Sequence, residues 1–112
     1  MAFTTATVTS IQQGKSQFQG LFNEMWAINL IVNPVTIAAG AEDSATFTIP
    51  GLLVSDMVLG FTPSINLTVD ADVSIHVSAA NTLFIRIGNL NASAAADLAS
   101  STWKVLIGRP NW

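Results

Sequence analysis

The sequence predicts an all-β protein, an antiparallel β-sandwich or a small barrel of Greek-key or jelly-roll type with about seven or eight short strands. Three observations predict it. Apolar and polar residues alternate over most of the chain, turn-forming residues interrupt the alternation at short intervals, and only 10% of the 112 positions are charged while 50% are hydrophobic. Ordinary soluble domains carry roughly 25% charge, so the exterior of this one is built largely from Ser, Thr, Asn and Ala. Its size bounds it to one domain, able to bury about two-thirds of the surface that its unfolded form exposes.

Residues 1 to 16 are rich in Thr, Ser and Gln with scattered apolar positions, too few to build a core of their own. They are expected to be an arm or to be disordered. Phe18, Leu21, Phe22 and Met25 follow at i, i+3, i+4 and i+7, the stripe of a short amphipathic helix, against which Gly20 counts. The division that results is an N-terminal arm with a short helix over residues 1–25, a β-sandwich over 26–108 and a tail over 109–112.

Within the sandwich, Trp26, Ile28, Leu30 and Val32 form the first period-two set, which Asn33-Pro34 stops. Such a set is a strand because successive side chains leave an extended backbone on opposite faces. Ala45, Phe47 and Ile49 form the second, ended by Pro50-Gly51; Met57, Leu59 and Phe61 share a phase until Thr62-Pro63-Ser64. Ile65, Leu67 and Val69 restart the pattern before Asp70-Ala71-Asp72, and Trp103, Val105 and Ile107 close it. The Ala-rich stretch from Asn89 to Ser101 is a polar loop with room for one helical turn around Ala94 to Leu98.

The stretch VSIHVSAANTLFIRIGN, residues 73–89, holds a hairpin whose register can be derived. Residues opposite each other on antiparallel strands share a face. A two-residue turn at Ala80-Asn81 would set Val77 against Phe84 and Ile75 against Arg86, mixing apolar and polar faces. A three-residue loop, Ala79-Ala80-Asn81, pairs Val77 with Leu83, Ile75 with Ile85 and Val73 with Ile87. The odd-numbered face is then the core face, and the loop calls for a left-handed residue at its last position, which Asn81 tolerates. His76 stands opposite Phe84 on the other face.

Chemistry is sparse. The net charge of -3, without a Lys or Arg cluster, argues against nucleic-acid binding. No cysteine is present, which removes disulfides and thiolate chemistry. MAFTTATVTS lacks the regions of a secretory signal and the longest apolar run is too short to span a bilayer, so a soluble, unprocessed protein is expected. His76 has only Asp70, Asp72 and Arg86 as plausible charged neighbours and reads as a partly exposed strand residue rather than an acid-base catalyst. Asp70 and Asp72 lack the further oxygens that calcium needs and read as solvated turn residues; Glu42-Asp43 reads as a solvated hairpin turn. Gly14-Lys15-Ser16 has Thr9 where a phosphate-binding loop needs glycine. Asn66-Leu67-Thr68 and Asn91-Ala92-Ser93 match a glycosylation sequon by chance. The expectation is a protein that is not an enzyme and holds no metal or cofactor.

Trp26 and Trp103 are in phase with core residues. Trp112 follows Gly108-Arg109-Pro110-Asn111 and is equally suited to fold back on its own domain or to anchor another chain, since Trp and Arg are enriched where interfaces hold most of their energy.

The runs FTIPGLLVSDMVLG (47–60) and ADVSIHVSAANTLFIRIGNLNASAAADLASSTWKVLIG (71–108) together resemble a pattern of small bacteriophage virion proteins. Its elements are a strand ending in Pro-Gly, an Asp-containing lead into the next strand, Val-Ser-Ala-Ala-Asn-Thr at a hairpin tip, Asn after the return strand, an Ala-rich loop, and a last strand opening on Ser-x-Trp. The likeness covers roughly residues 45–107 and contains no catalytic motif; residues 1–44 lie outside it. It implies a structural part of a phage particle, a head decoration or cement protein in the first place and a tail or fibre component in the second. A decoration protein implies the major capsid protein as partner, a homo-oligomer with trimers favoured, and a place on the capsid surface of the virion after synthesis in the host cytoplasm. Phe3, Phe18, Leu21, Phe22, Arg109 and Trp112 are the expected intermolecular contacts. The rival from another class is a carbohydrate-binding, receptor-recognising sandwich, with Phe84 and Trp112 as its candidate aromatics.

Overall fold

The computed structural model describes Phe3 and residues 5–14, 21–67 and 70–112. Among them are seven strands and no helix: β1 (Thr5–Gly14), β2 (Phe22–Asn33), β3 (Glu42–Thr48), β4 (Met57–Pro63), β5 (Ala71–Ala79), β6 (Thr82–Asn89) and β7 (Ser101–Pro110). They form one sheet of four strands, β1-β2-β7-β4, and one of three, β3-β6-β5. Every neighbouring pair is antiparallel. The two sheets face each other as the expected sandwich.

Alternation decides which residues fill the space between them. From the middle strands β2, β7 and β6 come Trp26, Ile28, Leu30, Val32, Trp103, Val105, Ile107, Leu83, Ile85 and Ile87, none more than 2% exposed. Phe47 and Ala45 of β3 and Val77 of β5 join them. Each large apolar side chain so removed from water stabilises the fold by roughly 1.5–3 kcal/mol before entropy is counted. Trp103 satisfies its indole N–H with the Ser101 hydroxyl at 2.9 Å, which gives the Ser-x-Trp opening of β7 a physical reason: residues two apart share the inner face.

The derived hairpin register is the observed one, with Val73 opposite Ile87, Ile75 opposite Ile85, Val77 opposite Leu83 and His76 opposite Phe84. Asn81 has φ 61°. Beyond closing the loop, Asn81 clamps a second turn: its N–H donates to the Leu52 carbonyl, its own carbonyl accepts from Ile49 N–H, and its side-chain Oδ1 accepts from Gly51 N–H at 2.7 Å. Pro50 and Gly51 occupy the middle of that turn, and Gly51 has φ 93°, a conformation that a side chain would strain.

Several expectations are corrected. Thr5–Gly14, expected in an arm or a disordered stretch, is a strand paired with β2 from Thr5 opposite Asn33 to Gly14 opposite Met25. An edge strand half in water needs few apolar residues, so Thr, Ser and Gln serve it. Phe22 and Met25 lie in β2 and not in a helix, and Leu21 sits in the turn before it; Phe18 lies outside the described residues. Pairing with β7 on one side and β1 on the other satisfies this backbone better than a helix weakened by Gly20. No strand spans Ser64–Leu67, although Ile65 and Leu67 still pack half-buried against the core; Val69 lies outside the described residues. Glu42-Asp43 opens β3 instead of forming a turn, and Asp43 is fully buried, accepting from Val35 and Ser44 N–H at 3.0 Å each.

In place of a helical turn near Ala94, Ala96 makes an isolated bridge with Ile37. The two loops so joined are held by Asn89, itself 3% exposed. Its amide donates to the carbonyls of Ile37, Ala38 and Ala94 at 3.1, 3.4 and 2.8 Å, while its Oδ1 accepts from Asn91 N–H. Asn91 in turn caps Ser93 and Ala94 through Oδ1 and donates to Asp70, so this sequon asparagine is a turn-builder. Asn89→Ala strands buried carbonyls and is expected to lower the unfolding free energy by about 2–3 kcal/mol. Asn89→Asp, the same shape without the donor, should cost as much, both read from urea midpoints.

Candidate functional site

The outer face of the four-stranded sheet belongs to the larger of the two sheets. Strand register arranges its outward residues in transverse rows. Gly14, Met25, Gly108 and Met57 form the first, Gln12, Ala27, Leu106 and Gly60 the second, Ser10, Asn29, Lys104 and Thr62 the third, and Thr7, Ile31 and Thr102 the fourth. The face therefore grades from apolar at one end to largely polar at the other, with Lys104 as the charged side chain of these rows.

At the apolar end, Gly108 is the hinge of the arrangement. A Cβ there would lie 2.7 Å from the Phe22 ring and 3.1 Å from Leu59, so only glycine lets both side chains close over β7. Leu59 reaches this spot because a bulge between Val58 and Gly60 adds a residue and breaks the phase of β4. Met57 and Leu59 are left outside, whereas Phe61, which shared their phase in the sequence, turns to the inner side of the sheet opposite Val105 and stacks on Trp103 at 5.7 Å while remaining 37% exposed. Trp112 meets Phe22 edge-on at 5.8 Å yet remains 76% exposed, beside Leu21 at 55%. The tail is tied down by Asn111 N–H to the Leu21 carbonyl and by Asn23 to the Asn111 side chain.

Four of the six expected contact residues thus converge at this end: Leu21, Phe22, Arg109 and Trp112. Phe3 does not; it is 6% exposed, against Phe47, with its N–H donated to the Ser44 carbonyl, so it belongs to the chain's own core. Phe18 is outside the described residues. Arg109 is committed within the chain. Its Nε and Nη2 each donate to the Asp56 carboxylate at 2.9 Å, Nη2 also reaches the Gly51 carbonyl at 2.7 Å, and its guanidinium lies 5.1 Å from the centre of the Trp26 ring. Asp56 further accepts from Leu53 N–H at 2.8 Å. Hydrogen bonding to Asp56, outweighing partial burial, raises the Arg109 pKa above its ordinary value. Arg109 therefore braces the loop over Trp26 and shapes the contact end without being its outermost residue.

Beside the apolar rows lies a shallow groove of about 510 Å³ lined by Ser10, Gln12, Asn29, Thr62 and Lys104, with Ala27, Gly60 and Leu106 forming its floor. The small residues at Ala27 and Gly60 make the depression. Asn29 donates to the Ser10 hydroxyl at 2.8 Å, which orients both.

On the opposite sheet, Arg86 bridges strands by pairing with Glu42 at 3.1 Å and Asp72 at 2.8 Å; the bonds to Asp72 and then Glu42 raise its pKa. Asp72 is thus an ion-pair partner and Asp70 an acceptor for Asn91, not the solvated turn pair expected. His76 is exposed and tilted against Phe84 at 5.2 Å. Sequence reasoning missed Met25, Met57, Leu59 and Leu106 as surface residues, and the Asp56 to Arg109 pair; the one available signal was an even-numbered apolar residue, Leu106, in a strand whose odd positions form the core.

Asp56→Ala leaves Arg109 without its carboxylate partner and should lower stability by about 3 kcal/mol, with Arg109→Lys losing less than Arg109→Ala in the same urea titration. Trp112→Ala should change it by no more than about 0.5 kcal/mol, as expected for an exposed side chain outside the framework. Comparison with known protein families, with curated proteins and with solved structures finds no match to this chain.

Proposed function

We propose that the chain is a non-enzymatic structural protein of a phage virion, a capsid decoration or cement protein that binds the assembled head and stabilises it. The observation that carries this reading is the apolar end of the outer sheet face, where Phe22, Met25, Met57, Leu59, Leu106 and Trp112 surround Gly108 on a rigid sandwich. Contiguous exposed apolar surface marks an interaction site, and exposed aromatic anchors are where interfaces concentrate their energy. Several ionisable groups have structural partners: Asp43 caps backbone, Asp56 holds Arg109, and Glu42 and Asp72 hold Arg86.

A cement needs no turnover. It binds the closed shell better than loose capsid subunits and stabilises the shell by that difference in affinity. The uncharged apolar end suits the task, because an interface core without Lys, Asp or Glu avoids the cost of desolvating them. The resemblance to small virion proteins points the same way, with the major capsid protein as partner and the capsid surface as location.

The groove favours a second reading, a receptor-recognising sandwich that binds carbohydrate, since amides, hydroxyls and one lysine are groups that hydrogen-bond sugars. A glycan array separates it from the first: specific hits lost in Asn29→Ala would favour it.

Leu106→Asp, at a position already 42% exposed, should leave the circular dichroism spectrum intact and lower occupancy on assembled heads at least about tenfold, or about 1.4 kcal/mol. Unchanged co-sedimentation of both Leu106→Asp and Trp112→Ala with heads would overturn the placement of the contact face.

A further inference from the structure

The inner side of β1 is partly buried at Val8, which packs against the core, but oddly wet in the second half of the strand. Ile11 stands in register with Ile28, whose side chain is 2% exposed, and so faces the interior side of the sheet, yet Ile11 is itself 37% exposed. The cause is architectural. Four strands face three, so the second half of β1 overhangs the smaller sheet. The strand's other long edge is also open: among the described residues, Thr5–Gly14 makes its backbone pairing to β2 alone.

Open edges invite pairing with another chain, and folded proteins usually blunt them with charge, proline or bulges. The other three edges here are blunted. β4 is bulged at Leu59 and ends on Pro63, β3 carries Glu42 and Asp43 and is met by Phe3 at Ser44, and β5 carries Asp72 and a register shift before Ala79. β1 has neither charge nor proline, and its irregularity between Val8 and Ser10 leaves Ser10–Gly14 as a regular stretch.

We propose that this edge recognises a second copy of the chain, two β1 strands pairing antiparallel about a two-fold axis with Ile11 opposite Ile11. An uncharged strand can oppose itself without bringing like charges together. The register sets Ser10 opposite Gln12 on the outer face and covers the two overhanging isoleucines with each other. Two four-stranded sheets become one of eight, and the paired apolar faces lie side by side for a common target. The contact is isologous, so its product is a dimer and not the threefold ring that decoration proteins suggest. The inference stands on β1 and does not depend on the virion reading.

A contact of about five residue pairs buries less than the roughly 800 Å² per partner of a standard interface, so the dimer should appear as a sedimentation coefficient that rises with concentration. Ile11→Lys should hold the chain at the monomer value at every concentration. Because the protein has no cysteine, Ile11→Cys tests the register directly: opposed Cβ atoms about 4.5–5.5 Å apart should give a disulfide-linked dimer on mild oxidation. Leu90→Cys, at a position 69% exposed, reports random collision and should give far less. A wild-type chain that stays monomeric, a self-association unaffected by Ile11→Lys, or Ile11→Cys cross-linking no faster than Leu90→Cys would each overturn the proposal; a monomer would leave β1 to an extended segment of another protein.

Discussion

The dry layer between the two sheets is the constraint from which the remainder follows. Trp26 of β2 and Trp103 of β7, opposite Ile107 and Leu30 on the neighbouring middle strand, are its largest side chains, and each brings an indole N–H that water can no longer reach. Trp103 meets its requirement through Ser101. Trp26 Nε1 has no partner among the described residues; instead its ring lies beneath Arg109 and beside Gly51, so the loop over Trp26 and the end of β7 are needed to keep it covered. Strict alternation that drives these residues inward drives every second residue outward, and the outer face is the other half of the same pattern.

The ends of the sandwich show how a chain with so few charges closes its loops. At one end Asn89 and Asn91 collect loop carbonyls and N–H groups; at the other Asn81 and Asp56 do so, with Arg109 reaching across from β7. Short amide and carboxylate side chains mimic a neighbouring peptide group and satisfy turns that no ladder can. Most of the charged groups are consequently drawn into the framework, which leaves Lys104 as the one charged side chain in the four rows of the broad sheet face.

That separation links the stability of the fold to the proposed contact surface. Arg109 steadies the loop over Trp26 while Gly108 beside it admits Phe22 and Leu59, so two consecutive residues of β7 serve the core and the contact surface in turn. The proposed pairing of two β1 edges would present that surface twice.

The amino-acid sequence by itself determined the all-β class, the burial of both middle-strand tryptophans, and the register of the 73–89 hairpin down to the left-handed Asn81, because parity and loop length are local properties. Only the tertiary structure decided that Thr5–Gly14 is a strand, that Phe22 and Met25 extend β2, and that a bulge at Leu59 sends Met57 and Leu59 outward while Phe61 turns in. It alone joined Asp56 to Arg109 across 53 positions. A half-wet edge strand has the composition of a loop, a bulge leaves no mark on the spacing, and which distant side chains meet depends on how two sheets close over one another, a property of the whole chain that no window of residues contains.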